Sequence, residues 1–123
     1  MTDCKTILTV DDSRTIRDML RVALLESGYR VLQAVDGVEG LETLQSERPD
    51  AIITDINMPR LDGFGFIEKV RRDGRFRATP ILVLTTESGQ EMKDRARQAG
   101  ASGWIVKPFN PEKLTASLRR VGV

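Results

Sequence analysis

Short apolar runs alternate with amphipathic segments along this chain. Ile7-Leu8-Thr9-Val10, Ala51-Ile52-Ile53-Thr54 and Ile81-Leu82-Val83-Leu84 carry apolar residues on both faces, so both faces of each must be covered, as in a buried parallel strand. Two weaker runs, Arg30-Val31-Leu32-Gln33-Ala34 and Trp104-Ile105-Val106, read as edge strands. Helical stripes fill the intervals. Ile16, Met19, Leu20, Ala23 and Leu24 share a face, with Gly28 as a C-terminal stop. Asp36 with Glu39 three residues on forms a capping pattern ahead of Val38, Leu41 and Leu44. Phe66, Ile67 and Val70 mark a third helix, and Asn110-Pro111 opens a fifth that carries Leu114, Leu118 and Val121. Between them, Ser88–Gln98 has only Met92, Ala96 and Ala99 as a stripe, which predicts a weakly anchored fourth helix. Strictly alternating strands and helices predict an α/β domain with a parallel sheet and right-handed crossovers.

The 123 residues suit one domain, and neither a linker nor a repeat divides them, so residues 1–123 are expected to be a single unit. No apolar run reaches the ~20 residues of a membrane helix. The polar start Met1-Thr2-Asp3-Cys4-Lys5 has no signal-peptide core, and a cytoplasmic location is expected. Cys4 alone forms neither an internal disulfide nor a thiolate metal site, which agrees with a reducing compartment. The sequence contains no His, so Ser-His and Cys-His nucleophilic pairs, imidazole metal sites and His proton shuttles are excluded. The chemistry must run on carboxylates, hydroxyls, Lys or backbone groups. The net charge of +1 conceals a split: residues 1–62 hold 7 basic and 12 acidic side chains, residues 63–123 hold 12 and 6. The basic residues are dispersed without interleaved aromatics, which favours a solvated face over a nucleic-acid surface.

In open α/β sheets, ligands bind beyond the carboxyl ends of the strands. Asp11-Asp12-Ser13 follows the first run, Asp55 the third, Thr85-Thr86 the fourth and Lys107-Pro108 the fifth. Three carboxylates in one crevice repel each other unless a cation intervenes. A donor set of oxygens alone selects a hard cation, with Mg²⁺ the first choice. Lys107 adds a fixed charge and Thr85 a hydroxyl, so the group forms a receptor for a phosphoryl group with Asp55 as nucleophile. Each residue alone has a plainer reading: Asp12 or Ser13 as a helix cap, Asp55 as a turn residue, Thr85 as structural, Lys107 as surface. Their coincidence at four strand ends is what carries the functional reading.

These residues resemble the receiver domain of bacterial two-component response regulators, particularly its single-domain chemotaxis members. The likeness runs from Val10-Asp11-Asp12-Ser13 through Thr54-Asp55-Ile56-Asn57-Met58-Pro59 and Asp62-Gly63 to Gly100-Ala101-Ser102-Gly103-Trp104 and Val106-Lys107-Pro108-Phe109. It implies a flavodoxin-like, doubly wound sheet of order 2-1-3-4-5 with five helices, and one receiver domain without an output domain. It further implies that Asp55 accepts a phosphoryl group from a phosphohistidine on a sensor histidine kinase. In that pattern Asp12 and Asp55 ligate Mg²⁺ directly, Asp11 through water, and Asn57 through its backbone carbonyl. Lys107 and Thr85 hold phosphoryl oxygens, Asn57 and Glu87 tune self-dephosphorylation, and Lys107-Pro108 is a cis peptide. Gly63 corresponds to a loop reversal, where a positive φ is expected.

The resemblance also implies a switch in which Thr85 moves and the aromatic of the fifth strand turns inward. Here that aromatic is Trp104, where Tyr or Phe is usual, and a fixed outward place in a binding surface is the competing expectation. Output is expected from the face of the fourth helix, fifth strand and fifth helix, through a protein partner of an expected monomer. The flagellar motor switch is the first candidate partner; relaying or absorbing phosphoryl groups, or regulating a kinase, are alternatives. A haloacid-dehalogenase-like phosphatase needs a second acid two residues after its nucleophile, and that position is Asn57.

Overall fold

A computed structural model describes residues 4–123; Met1-Thr2-Asp3, part of the polar start, lie outside the described residues. Strands β1 (Thr6–Val10), β2 (Arg30–Ala34), β3 (Ala51–Thr54), β4 (Ile81–Thr85) and β5 (Gly103–Val106) alternate with helices α1 (Arg14–Glu26), α2 (Gly37–Leu44), α3 (Gly63–Arg72), α4 (Gln90–Ala99) and α5 (Pro111–Arg120). All pairings are parallel, and the sheet order is β2-β1-β3-β4-β5. The weak runs are the two edges, and the three runs apolar on both faces are the centre. This is the flavodoxin-like doubly wound sheet.

Alternation along the strands divides the core into two layers. Leu8, Val10, Ile52, Ile81 and Val83 face α2, α3 and α4 through Leu44, Phe66, Ile67, Val70 and Ala96. Ile7, Ile53, Leu82 and Leu84 face α1 and α5 through Leu20, Leu24, Leu114 and Leu118. One member of the first predicted stripe lies outside the core. Met19 is 44% exposed beside Val22, because the buried face of α1 is the narrower row Leu20, Ala23 and Leu24.

Caps set most helix starts. Ser13, not Asp12, caps α1 by accepting from Ile16 N–H, and Asp36, Asp62 and Asn110 cap α2, α3 and α5. Helix α4 starts at Gly89 with no side-chain cap, and Ala96 is its single buried residue. The thin apolar stripe therefore does correspond to the least anchored helix. A short 3₁₀ turn, Gly74–Phe76, escapes the pattern reading and buries Phe76 beneath α3.

Two glycine positions shape the crevice. Gly63 does not have the expected positive φ; its need is for space. A Cβ there would run into the carbonyl of Asp55 and the backbone of Ile56, so only Gly lets α3 start directly against the end of β3. The left-handed residue in this loop is instead Arg60, with φ 65°.

Candidate functional site

Sheet register assembles the crevice. Val10 pairs with Thr54, so the next residues on the two strands, Asp11 and Asp55, leave the sheet side by side where the strand order reverses. Asp55 N–H donates to the Val10 carbonyl at 3.0 Å, joining the two exits. Asp11, Asp12 and Asp55 each offer a carboxylate oxygen within 4.8 Å of the others. Asp11 and Asp55 are buried, whereas Asp12 is exposed and opens the group to solvent.

Lys107 closes the group from the far side of β4. Its N–H donates to the Thr85 carbonyl at 2.8 Å, and its side chain reaches back so that Nζ donates to Asp11 Oδ2 and Asp55 Oδ2, both at 2.9 Å. The peptide bond between Lys107 and Pro108 is cis. Burial opposes the charge on Lys107, but the two carboxylates outweigh it and hold the ammonium above its ordinary pKa. Asp11 carries the opposite balance: burial pushes its carboxyl up, against hydrogen bonds from Lys107 and from Ser13 N–H (2.9 Å). Asp55 has Oδ1 on Ile56 N–H and Oδ2 on Lys107. Its carboxylate is thus fixed in orientation by one main-chain and one side-chain donor.

The remaining residues singled out by sequence form a second group around Glu87. Thr85 is buried, and its hydroxyl accepts from Glu87 N–H at 3.4 Å; it makes no hydrogen bond to Asp55. Asn57 Nδ2 donates to Glu87 Oε1 at 3.5 Å. Trp104 is half-buried, and its indole N–H donates to the Glu87 carbonyl at 3.0 Å. One loop therefore gathers contacts from the ends of β3, β4 and β5.

The donors suit a hard cation. Three carboxylate oxygens converge with no sulfur or imidazole, and the buried Asp11 resists ionisation, a cost that a divalent ion would relieve. Mg²⁺ holds its oxygens at about 2.1 Å and usually keeps several waters, for which the exposed Asp12 side leaves access.

Comparison with known proteins agrees with this arrangement. The family described as the response regulator receiver domain matches residues 7–119. The chain belongs to that family. Chemotaxis protein CheY1 of Helicobacter pylori is 42% identical over 117 residues, covering 94% of each chain. The solved Vibrio cholerae chemotaxis protein CheY4 superposes with a TM-score of 0.93 at 47% identity, covering 97% of this chain and 99% of that one. Response regulator MprA of Mycobacterium ulcerans is 44% identical over 113 residues, but this receiver chain spans only 48% of its length. The chain is thus CheY-like in sequence and fold. No helix of the described residues is long and apolar enough to cross a membrane.

Two residues that organise the receiver escaped sequence reading. Arg60 makes a forked ion pair with Asp36, and Arg71 donates to the carbonyls of Gly100, Phe76 and Thr79, tying α3, the 3₁₀ turn and α4 together. A single Arg in a polar stretch leaves no signal of what it reaches. Asp36 was legible only as a cap.

Proposed function

We propose that Asp55 accepts a phosphoryl group from a phosphohistidine of a sensor histidine kinase and that the modified chain switches a protein-binding face. The observation that carries this reading is the Asp55 carboxylate, oriented by Ile56 N–H and Lys107 beside Asp11 and Asp12. One Asp55 oxygen attacks phosphorus, the P–N bond to the donor imidazole breaks, and the departing imidazole keeps the bond's electron pair and is protonated. Lys107, already on Asp55 Oδ2, stays to neutralise the added charge, and the buried Thr85 hydroxyl turns from Glu87 N–H toward the new acceptor oxygens. Asp12, Asp55, the Asn57 carbonyl and, through water, Asp11 would hold Mg²⁺. When bound, it supplies charge neutralisation for the three transferring oxygens.

Release of Thr85 from Glu87 N–H loosens the loop whose carbonyl holds Trp104, so phosphorylation reaches the face of α4, β5 and α5 through Glu87. The exposed Asn57 and the half-buried Glu87, joined by a long 3.5 Å contact, are the residues that would tune self-dephosphorylation. The chain then acts as a switch that returns to its resting state, not as an enzyme turning over a separate substrate.

Near full-length matches to CheY1 and CheY4 support a chemotaxis role for this receiver. Its phosphodonor would be a CheA-like kinase and its target the flagellar motor switch. The test is incubation with Mg²⁺ and acetyl phosphate, followed by intact mass. One phosphoryl adduct is expected in the native chain and none in Asp55→Asn; no adduct in the native chain at any time point would overturn the proposal. Phosphotransfer from a purified chemotaxis kinase, compared with an unrelated histidine kinase, tests the pathway.

A further inference from the structure

We propose that Arg60 and Asp36 form a clasp holding the loop after Asp55 in the shape that cation binding and phosphoryl transfer require. Both are then positioning residues. The inference rests on Asp55 being the phosphoacceptor.

The anchor is on the α2 side. The Asp36 side chain is 4% exposed and is fixed as the N-cap of α2, with Oδ1 accepting from Glu39 N–H at 2.9 Å. Arg60 is 54% exposed and belongs to the loop. Its Nε donates to Asp36 Oδ2 at 2.7 Å and a terminal nitrogen to Oδ1 at 3.1 Å, a bidentate fork that fixes direction as well as distance. The same contact lowers the Asp36 carboxyl below the usual carboxylate range.

The backbone shows what the fork holds in place. Arg60 is the one described non-glycine residue with positive φ, a conformation that a long side chain keeps only when its surroundings impose it. The next residue, Leu61, lies so close to α2 that a Cβ on Gly37 would stand 2.7 Å from the Leu61 carbonyl oxygen. At the loop's base, Gly63 N–H donates to the Ile56 carbonyl at 2.8 Å. The loop is therefore closed at its base and strapped to α2 at its tip.

Asn57 sits between these two fastenings. It is exposed, and its own side chain has only the long 3.5 Å contact to Glu87. Its main-chain carbonyl, the expected cation ligand, is positioned by the loop and not by its side chain. Freeing Arg60 leaves the base intact but lets the limb carrying Asn57 move.

The test uses substitutions that remove the fork while sparing local structure. Arg60→Gly tolerates the left-handed backbone. Asp36→Asn keeps an N-cap acceptor. Mg²⁺ affinity is read from the rise in melting temperature with Mg²⁺ concentration, without any phosphodonor. The adduct-forming rate is read with acetyl phosphate. Each single variant is expected to weaken Mg²⁺ binding by about tenfold and to slow adduct formation, as loss of an outer partner does at other metal sites. The double variant is expected to be no worse than either single one, since both remove the same contact. Mg²⁺ affinity and rate within twofold of the native chain in both singles would overturn the clasp, whatever happens to the melting temperature. A native chain that binds Mg²⁺ but forms no adduct would instead overturn the role of Asp55.

Discussion

Two buried carboxylates one strand apart behave in opposite ways. Asp36 follows β2, Asp11 follows β1, and each is nearly inaccessible and paired with a cation. The Asp36 carboxyl is pulled down by the Arg60 fork and by main-chain donors at the start of α2. Burial pushes the Asp11 carboxyl up despite Lys107. Burial is the first cause of the difference, and stoichiometry adds to it. Asp36 has a guanidinium to itself, whereas Lys107 must serve Asp11 and Asp55 together, with Asp12 close by. One site is complete; the other is short of positive charge, as a crevice that is to admit a cation has to be.

Removing the cation paired with both carboxylates of the crowded site should have the largest effect. Lys107→Gln is expected to cost about 3 kcal/mol in urea unfolding without divalent ions, the scale for breaking a buried ion pair. Millimolar Mg²⁺ should restore part of it; no response to Mg²⁺ would contradict the charge deficit.

Breaking the complete site should cost less. Asp36→Ala removes a cap and a fork and is expected to lose about 2 kcal/mol at neutral pH. Because the folded Asp36 pKa is depressed, its contribution is present above the unfolded value of 3.8 and is lost as pH falls through the lower folded value. The native and variant unfolding curves should therefore converge in acid.

Trp104→Phe keeps the ring and deletes the donor to the Glu87 carbonyl, for an expected loss of about 1 kcal/mol. Faster hydrogen exchange should appear in the loop before α4. A loop unchanged in exchange would separate Trp104 from the crevice.

The smallest effect should have the opposite sign. Asp11→Asn is expected to stabilise the metal-free protein at neutral pH. The raised folded pKa means that ionised Asp11 opposes folding above that value and ceases to do so as pH falls through it toward 3.8. The advantage of the variant should shrink over that window and reverse when Mg²⁺ is added at neutral pH. Equal pH profiles for Asp11→Asn and Asp36→Ala would collapse the distinction between the two carboxylates.

Much of this was legible from periodicity. Central strands announced themselves by runs apolar on both faces, the edges by an interrupted run in β2 and a shorter one in β5, and α4 by its poor stripe, because burial on two faces, one face or barely one leaves different patterns. Strand-end chemistry followed from topology: residues after parallel strands must meet at one end of the sheet. Side-chain reach was not legible. That Arg60 spans to Asp36, that Arg71 reaches the carbonyl of Gly100 and that Gly63 is needed for closeness all depend on distances between segments remote in sequence. Met19 shows the same gap from the other side, since a stripe gives a face but not its width.

Lys107 has a consequence for the chemical reactivity of the chain. Acylating reagents attack neutral, accessible amines, and this amine is held charged by two carboxylates with its side chain 11% exposed. Lys5, Lys69 and Lys113 stand in solvent and Lys93 is partly so. A dye or affinity tag coupled through lysine would decorate those four and leave the crevice untouched.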